Sequence, residues 1–145
     1  MHGRGGVALT GAWRTGPRTL HGFYGNGFPD LFQLGPLQNA GAVNFVHVLD
    51  EQATRVAEVV AEARRRGAGA VEPTEEAERA WVDTIRKKAA GLYESQAECT
   101  PGYYNDEGVP RQRSESYGDG PVAFHALLRE WRASGGMDEV LADAR

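Results

Sequence analysis

The chain has 145 residues and a mass of 15.7 kDa, one domain's worth of sequence, with 41% hydrophobic and 25% charged residues in ordinary globular proportion. A formal charge of −4 argues against a general nucleic-acid or anionic-membrane binder, and a single cysteine, Cys99, excludes an internal disulfide and a closed cysteine-based zinc site. No apolar run approaches the ~18 residues of a membrane span, and residues 1–6 lack the apolar stretch of a secretory signal, so a cytoplasmic protein is expected.

In chain order, residues 7–10 and 19–24 read as short strands between Gly/Pro turns. Residues 27–30, Gly-Phe-Pro-Asp, are a turn signal, and 31–34 a third short strand stopped by Gly35-Pro36. The strongest element is an amphipathic helix over 45–66. Its stripe is Phe45, Val48/Leu49, Ala53, Val56, Val59/Val60 and Ala63, with Asn44 as N-cap and Arg64-Arg65-Arg66 before Gly67. A second helix is expected from Pro73, at the first helical position, to about Leu92, with Ala77, Trp81, Ile85, Lys88/Ala89 and Leu92 facing inward. Residues 97–120 read as loop. A third helix over 121–133 carries Val122, Phe124, Leu127, Leu128 and Trp131, and the tail 137–144 allows a short helix. Three short strands are too few for a sheet of their own, so the first segment reads as the end of a larger one.

Chemistry concentrates in residues 31–45. A short apolar run ends in Gly-Pro, a loop of small residues follows, and a long helix begins at Asn44. Such a loop lets backbone approach a flat ligand closely. The free N–H groups of the helix start favour an anion or an electron-rich oxygen. The same residues also suit an ordinary strand–loop–helix connection, and pattern alone does not separate the two.

Three stretches carry a family resemblance: Gly16-Pro17-Arg18-Thr19-Leu20-His21-Gly22, then Gly27-Phe28-Pro29-Asp30-Leu31-Phe32, then the Gly35-Pro36-Leu37-Gln38-Asn39 loop with its helix. Together they resemble the C-terminal part of flavin-dependent Baeyer–Villiger monooxygenases of the cyclohexanone monooxygenase type, in which Asp30 is Asn. The likeness continues through Trp81 to Tyr103-Tyr104-Asn105. It implies an α/β fragment, mainly α: the end of an FAD-binding sheet, in short strands, followed by a long helix and a helical C-terminal cover. Residues 1–66 would close the FAD-binding domain, and 67–145 would form a helical extension.

The resemblance assigns Gly35, Pro36, Gln38, Asn44 and Phe45 to the flavin, with helix-start N–H groups on the pyrimidine edge of its ring system. Asn39, Ala40, Gly41, Ala42 and Val43 fall on the substrate-side loop, and Asn105 on the NADP side. The complete enzyme would use FAD and NADP to oxygenate a small ketone to an ester or lactone. This chain holds neither of the family's G-x-G-x-x-G fingerprints, and the family's catalytic arginine lies upstream of the match, so no catalytic residue is assigned. The implied partner is an N-terminal FAD/NADP-binding portion, and the chain alone is expected to be inactive and to retain no cofactor. The alternatives are a non-catalytic helical interaction module and the complementing subunit of a split monooxygenase.

The remaining chemistry-bearing residues read as structural. His47 and Glu51, one helical turn apart, suit a surface contact better than a metal site, and no metal is expected. Cys99 has no basic neighbour to activate it. Arg64-Arg65-Arg66 suits a helix C-terminus. Trp13, Trp81 and Trp131 are expected in packing.

Overall fold

The computed structural model describes residues 1–41, 44–97, 100–102 and 116–142, with side chains undescribed over 90–97. Its elements are a one-turn helix α1 (Leu9–Ala12), α2 (Phe45–Arg66), a two-residue strand β1 (Ala70–Val71), α3 (Glu75–Ala97), α4 (Gly120–Ala133) and β2 (Leu141–Ala142). The architecture is mainly helical with one small sheet. Among the described residues no helix is long and apolar enough to cross a membrane.

α2 forms where its pattern places it. Asn44 Oδ1 accepts the His47 N–H at 3.1 Å. At the other end Gly67, at φ 66°, donates to Arg64 O, and Ala68 donates to Ala63 O, the paired bonds of a Schellman cap. The buried face is Val48, Gln52, Val59 and Ala63, so a glutamine takes the place expected for Ala53, and Phe45 turns outward. α3 begins two residues later than expected. Thr74 caps it: its Oγ1 accepts the Ala77 N–H at 3.2 Å, and Pro73 lies outside the helix. α3 also continues past 92 to Ala97; of the expected inner stripe Ala77, Trp81, Ile85 and Ala89 are buried, Lys88 is exposed, and the Leu92 side chain lies outside the described set. α4 buries Phe124 and Leu128 but exposes Val122.

The three expected strands do not form. Residues 9–12 close a helical turn instead. Residues 19–24 double back at His21 and Gly22, whose φ values are 55° and 77°, so that Leu20 pairs with Tyr24 rather than with a neighbouring strand. Gly22 is required there: a Cβ would fall 2.5 Å from the Leu37 carbonyl oxygen. Residues 31–34 make no ladder; Gln33 N–H donates once, to Phe23 O at 2.8 Å. Leu20, Phe23, Tyr24 and Phe32 of these segments still reach the core, but each backbone turns too soon to form a ladder. The sheet that does form joins β1 antiparallel to β2, with Ala70 opposite Ala142 and Val71 opposite Leu141. The tail is thus a 3-10 turn (Gly136–Glu139) and a strand, not a helix.

One core serves all of it. Leu20, Phe23, Tyr24 and Ala40 pack with Val59 and Ala63 of α2, Trp81 and Ile85 of α3, and Phe124 and Leu128 of α4. The Trp81 ring stacks on Tyr117 at 5.7 Å and meets His21 edge-on at 4.7 Å.

Candidate functional site

The loop before α2 is fixed by amides. Gln52, buried in the second turn of α2, accepts the Gly35 N–H on Oε1 and returns Nε2–H to the Gly35 carbonyl, both at 2.8 Å. Gln38, at φ 50°, turns its side chain inward. Its Oε1 accepts from Thr19 N–H at 2.9 Å and Thr19 Oγ1–H at 2.6 Å, and its Nε2 donates to Pro17 O at 3.0 Å. The Gln38 carbonyl accepts the Trp81 indole N–H at 3.1 Å. Asn39 donates to His21 O at 3.1 Å and accepts the Ala40 N–H at 2.8 Å, while its own carbonyl takes the Tyr117 N–H.

These bonds divide the expected site residues. The side chains of Gln38, Asn39 and Ala40 face the interior and are not free for a ligand. Gly35 is buried by its clamp; Pro36, Gly41, Asn44 and Phe45 remain at the surface. Ala42, Val43 and Asn105 lie outside the described residues, as do Cys99, Tyr103 and Tyr104. At the start of α2 the His47 and Val48 N–H groups are taken by Asn44. Those of Phe45 and Val46 have no acceptor among the described residues, and their side chains are 51% and 76% exposed. Two aligned N–H groups at an open helix start carry partial positive charge and accept electron density from a flat, electron-rich ligand.

The turn before this loop is held by carboxylates that sequence reading did not single out for it. Asp30, at φ 57°, donates its N–H to Val71 O and accepts the Val71 N–H on Oδ1, both at 2.9 Å. An asparagine offers the same acceptor, so Asp in the family's Asn position keeps the contact. Glu72 accepts the Gly27 N–H at 2.9 Å, and buried Glu78 accepts from Asn26 N–H at 2.6 Å and Arg18 Nε–H at 2.9 Å. The only available signal was a carboxylate or amide interrupting an apolar stripe, as Gln52 and Glu78 do.

The other side chains stand as follows. Glu51 lies 3.8 Å from His125 and 3.7 Å from Arg55, and the His47 and His125 rings are 6.5 Å apart. Among the described residues no group of three or more His, Cys, Asp or Glu could hold a metal ion. Desolvation lowers the His125 pKa. Arg65 and Arg66 hydrogen-bond Glu62 and hold its carboxyl down at about 2, the structural role expected of that cluster. Trp81 is buried in the core, Trp131 donates its indole N–H to Glu139 at 2.7 Å, and Trp13 is half-buried. His21 is buried between Trp81 and Trp131, and desolvation pushes its pKa down to about 3.

No family model matches the chain. It is similar to a Baeyer–Villiger monooxygenase of Streptomyces coelicolor, at 54% identity over 144 residues, covering 98% of this chain and 24% of that protein. An FAD-binding monooxygenase of Hypomyces subiculosus is 36% identical over 139 residues, covering 94% of this chain and 23% of its own length. Among solved structures, the polycyclic ketone monooxygenase of Thermothelomyces thermophila superposes with a TM-score of 0.88 at 37% identity, over 99% of this chain and 24% of that one. A steroid monooxygenase bound to NADP superposes at 0.74 with 26% identity, over 97% and 26%. The chain therefore spans about a quarter of the length of the proteins it matches.

Proposed function

We propose that the chain, which matches about a quarter of the length of a Baeyer–Villiger monooxygenase, forms the C-terminal flavin-side wall and helical cover of an FAD- and NADPH-dependent enzyme that oxygenates a ketone to an ester or lactone. Residues 1–66 close the FAD-binding domain in this reading, and 67–145 extend it. The partner is an upstream portion bearing both dinucleotide fingerprints, which this chain does not contain. Its docking on this side is supported by the exposure of Leu34, Phe45 and Val46, apolar side chains around the loop and the helix start.

The observation that carries the proposal is the pair of N–H groups at Phe45 and Val46 that find no acceptor among the described residues, set at an exposed helix start behind a loop anchored at Gly35. They fit the electron-rich edge of a flavin ring, whose redox chemistry supplies oxygen activation when it is bound. The chain's own contribution is to present those donors and to hold Pro36 and Gly41 at the ligand side, while Gln38 and Asn39 act from behind, by fixing the loop. Asn44 caps the helix rather than reaching the ligand.

The test is to join this chain to the upstream portion of the Streptomyces coelicolor relative and assay NADPH-dependent ketone oxygenation. Phe45→Pro removes one donor at a position where proline is tolerated, and is expected to lower turnover by about 10²–10³. His47→Ala and Cys99→Ala leave turnover unchanged. The opposite pattern removes α2 from the flavin edge. The chain alone is expected to purify colourless, since the Gly-rich unit that supplies most dinucleotide affinity is not in it.

A further inference from the structure

A cleft of about 230 Å³ lies between the turn at 15–18 and one face of α3. From α3 it is lined by Arg79, Val82, Asp83 and Arg86, residues at three-and-four spacing that share a helix face, and from the turn by Arg18. Three guanidinium-bearing side chains thus border one small cavity in a chain whose net charge is −4. Their donors are largely unspent. Among the described residues Arg18 gives only its Nε–H, to Glu78, which leaves four terminal N–H groups. Arg86 stands 3.7 Å from Asp83, beyond hydrogen-bond distance, and Arg79 makes no ion pair among the described residues. The acids facing the cleft are Asp83 in its wall and Glu78 behind Arg18, and Glu78 is already committed to Arg18 and the Asn26 N–H.

The wall opposite α3 is pre-organised. The Gln38 amide ties Pro17 and Thr19 on either side of Arg18, so the turn is fixed before any ligand arrives. The volume lies below the ~300 Å³ at which drug-sized ligands are held, and suits a small polyanion. Arginine forks match planar or tetrahedral oxyanions through paired N–H donors.

We propose that this cleft binds a small oxyanion ligand, a diphosphate or dicarboxylate group, through Arg18, Arg79 and Arg86. The proposal stands independently of the flavin-side reading. It is tested on the 145-residue chain by calorimetric titration at low ionic strength, with inorganic pyrophosphate in one arm and malonate in the other. Saturable one-to-one binding is expected in at least one arm, and the tighter arm identifies the group. Arg79→Gln and Arg86→Gln, both exposed, are each expected to weaken it about tenfold, with unchanged far-ultraviolet circular dichroism, while Arg14→Gln and Arg64→Gln leave it unmoved. Added salt weakens it. Binding in neither arm, or binding that both cleft variants leave intact, overturns the proposal.

Discussion

Residues 1–41 and the helices α2, α3 and α4 share one core, but different chemistry holds them in it. The helices are fastened by periodic apolar burial: Val48, Val59 and Ala63 in α2, Ala77, Ile85 and Ala89 in α3, Phe124 and Leu128 in α4. Residues 1–41 are fastened by single polar side chains that each bond one or two backbone groups: Gln38, Asn39 and Asp30 from within, Gln52 and Glu78 from the helices, and Glu72 from the segment between β1 and α3. Apolar burial is spread over many atoms and degrades gradually. A bidentate amide fails all at once and leaves buried donors and acceptors without partners.

The largest effect is expected at Trp81, which belongs to both regions. Trp81→Ala removes the Tyr117, Phe124 and His21 ring contacts and the donor to Gln38 O, and should cost about 3–5 kcal/mol in urea unfolding. Gln38→Leu separates the regions more sharply. It should cost about 2–3 kcal/mol, and hydrogen exchange should accelerate around Thr19 while α2 keeps its protection. Equal acceleration in both would break the distinction. More generally, exchange should be faster across residues 7–34 than in α2, because those amides have turn and side-chain acceptors rather than ladders.

Acid gives the third test. Burial lowers the His21 pKa to about 3 from 6.5, so the folded state favours the neutral ring. That preference is satisfied in full above pH 6.5. Stability should fall as pH drops from 6.5 towards 3, by up to about 1.4 kcal/mol per pH unit. His21→Asn, which tolerates the positive φ, should flatten the slope. A smaller effect is expected at the helix cap: Asn44→Ala should cost about 1 kcal/mol in the same unfolding assay. The smallest is Asp30→Asn, which keeps the acceptor for Val71 N–H and should change the midpoint by less than about 0.5 kcal/mol.

The same contrast explains what could be read from sequence. α2 was legible to both caps because periodicity, an N-cap asparagine and a C-terminal glycine act within a few residues of each other. α3 was displaced at its start because Pro73 and Thr74 both suit a helix entrance, and only the Thr74 hydroxyl bond decides between them. The strands failed because apolar runs at 19–24 and 31–34 report burial without reporting a partner; the reversal depends on His21 and Gly22 taking positive φ. β1 and β2, two residues each and 71 positions apart at Ala70 and Leu141, left no local pattern. In the loop, the position was legible and the direction of the side chains was not. Gln38 and Asn39 look like ligand-facing groups in a small-residue loop until Thr19, Pro17 and His21 are seen to occupy them.

Gln52 spans a fixed length between the axis of α2 and Gly35, gripping that residue at both its N–H and its carbonyl. The amide therefore works as a ruler. The two hydrogen bonds couple the position of the first loop residue to that of α2. In the proposed flavin-side reading, Leu34 before the clamp and exposed Gly41 after the buried stretch 38–40 are the described positions where the chain leaves this coupled unit. Shortening the ruler by one methylene, with Gln52→Asn, would draw the amide back from Gly35 and free the loop from the helix while keeping an amide side chain at that position.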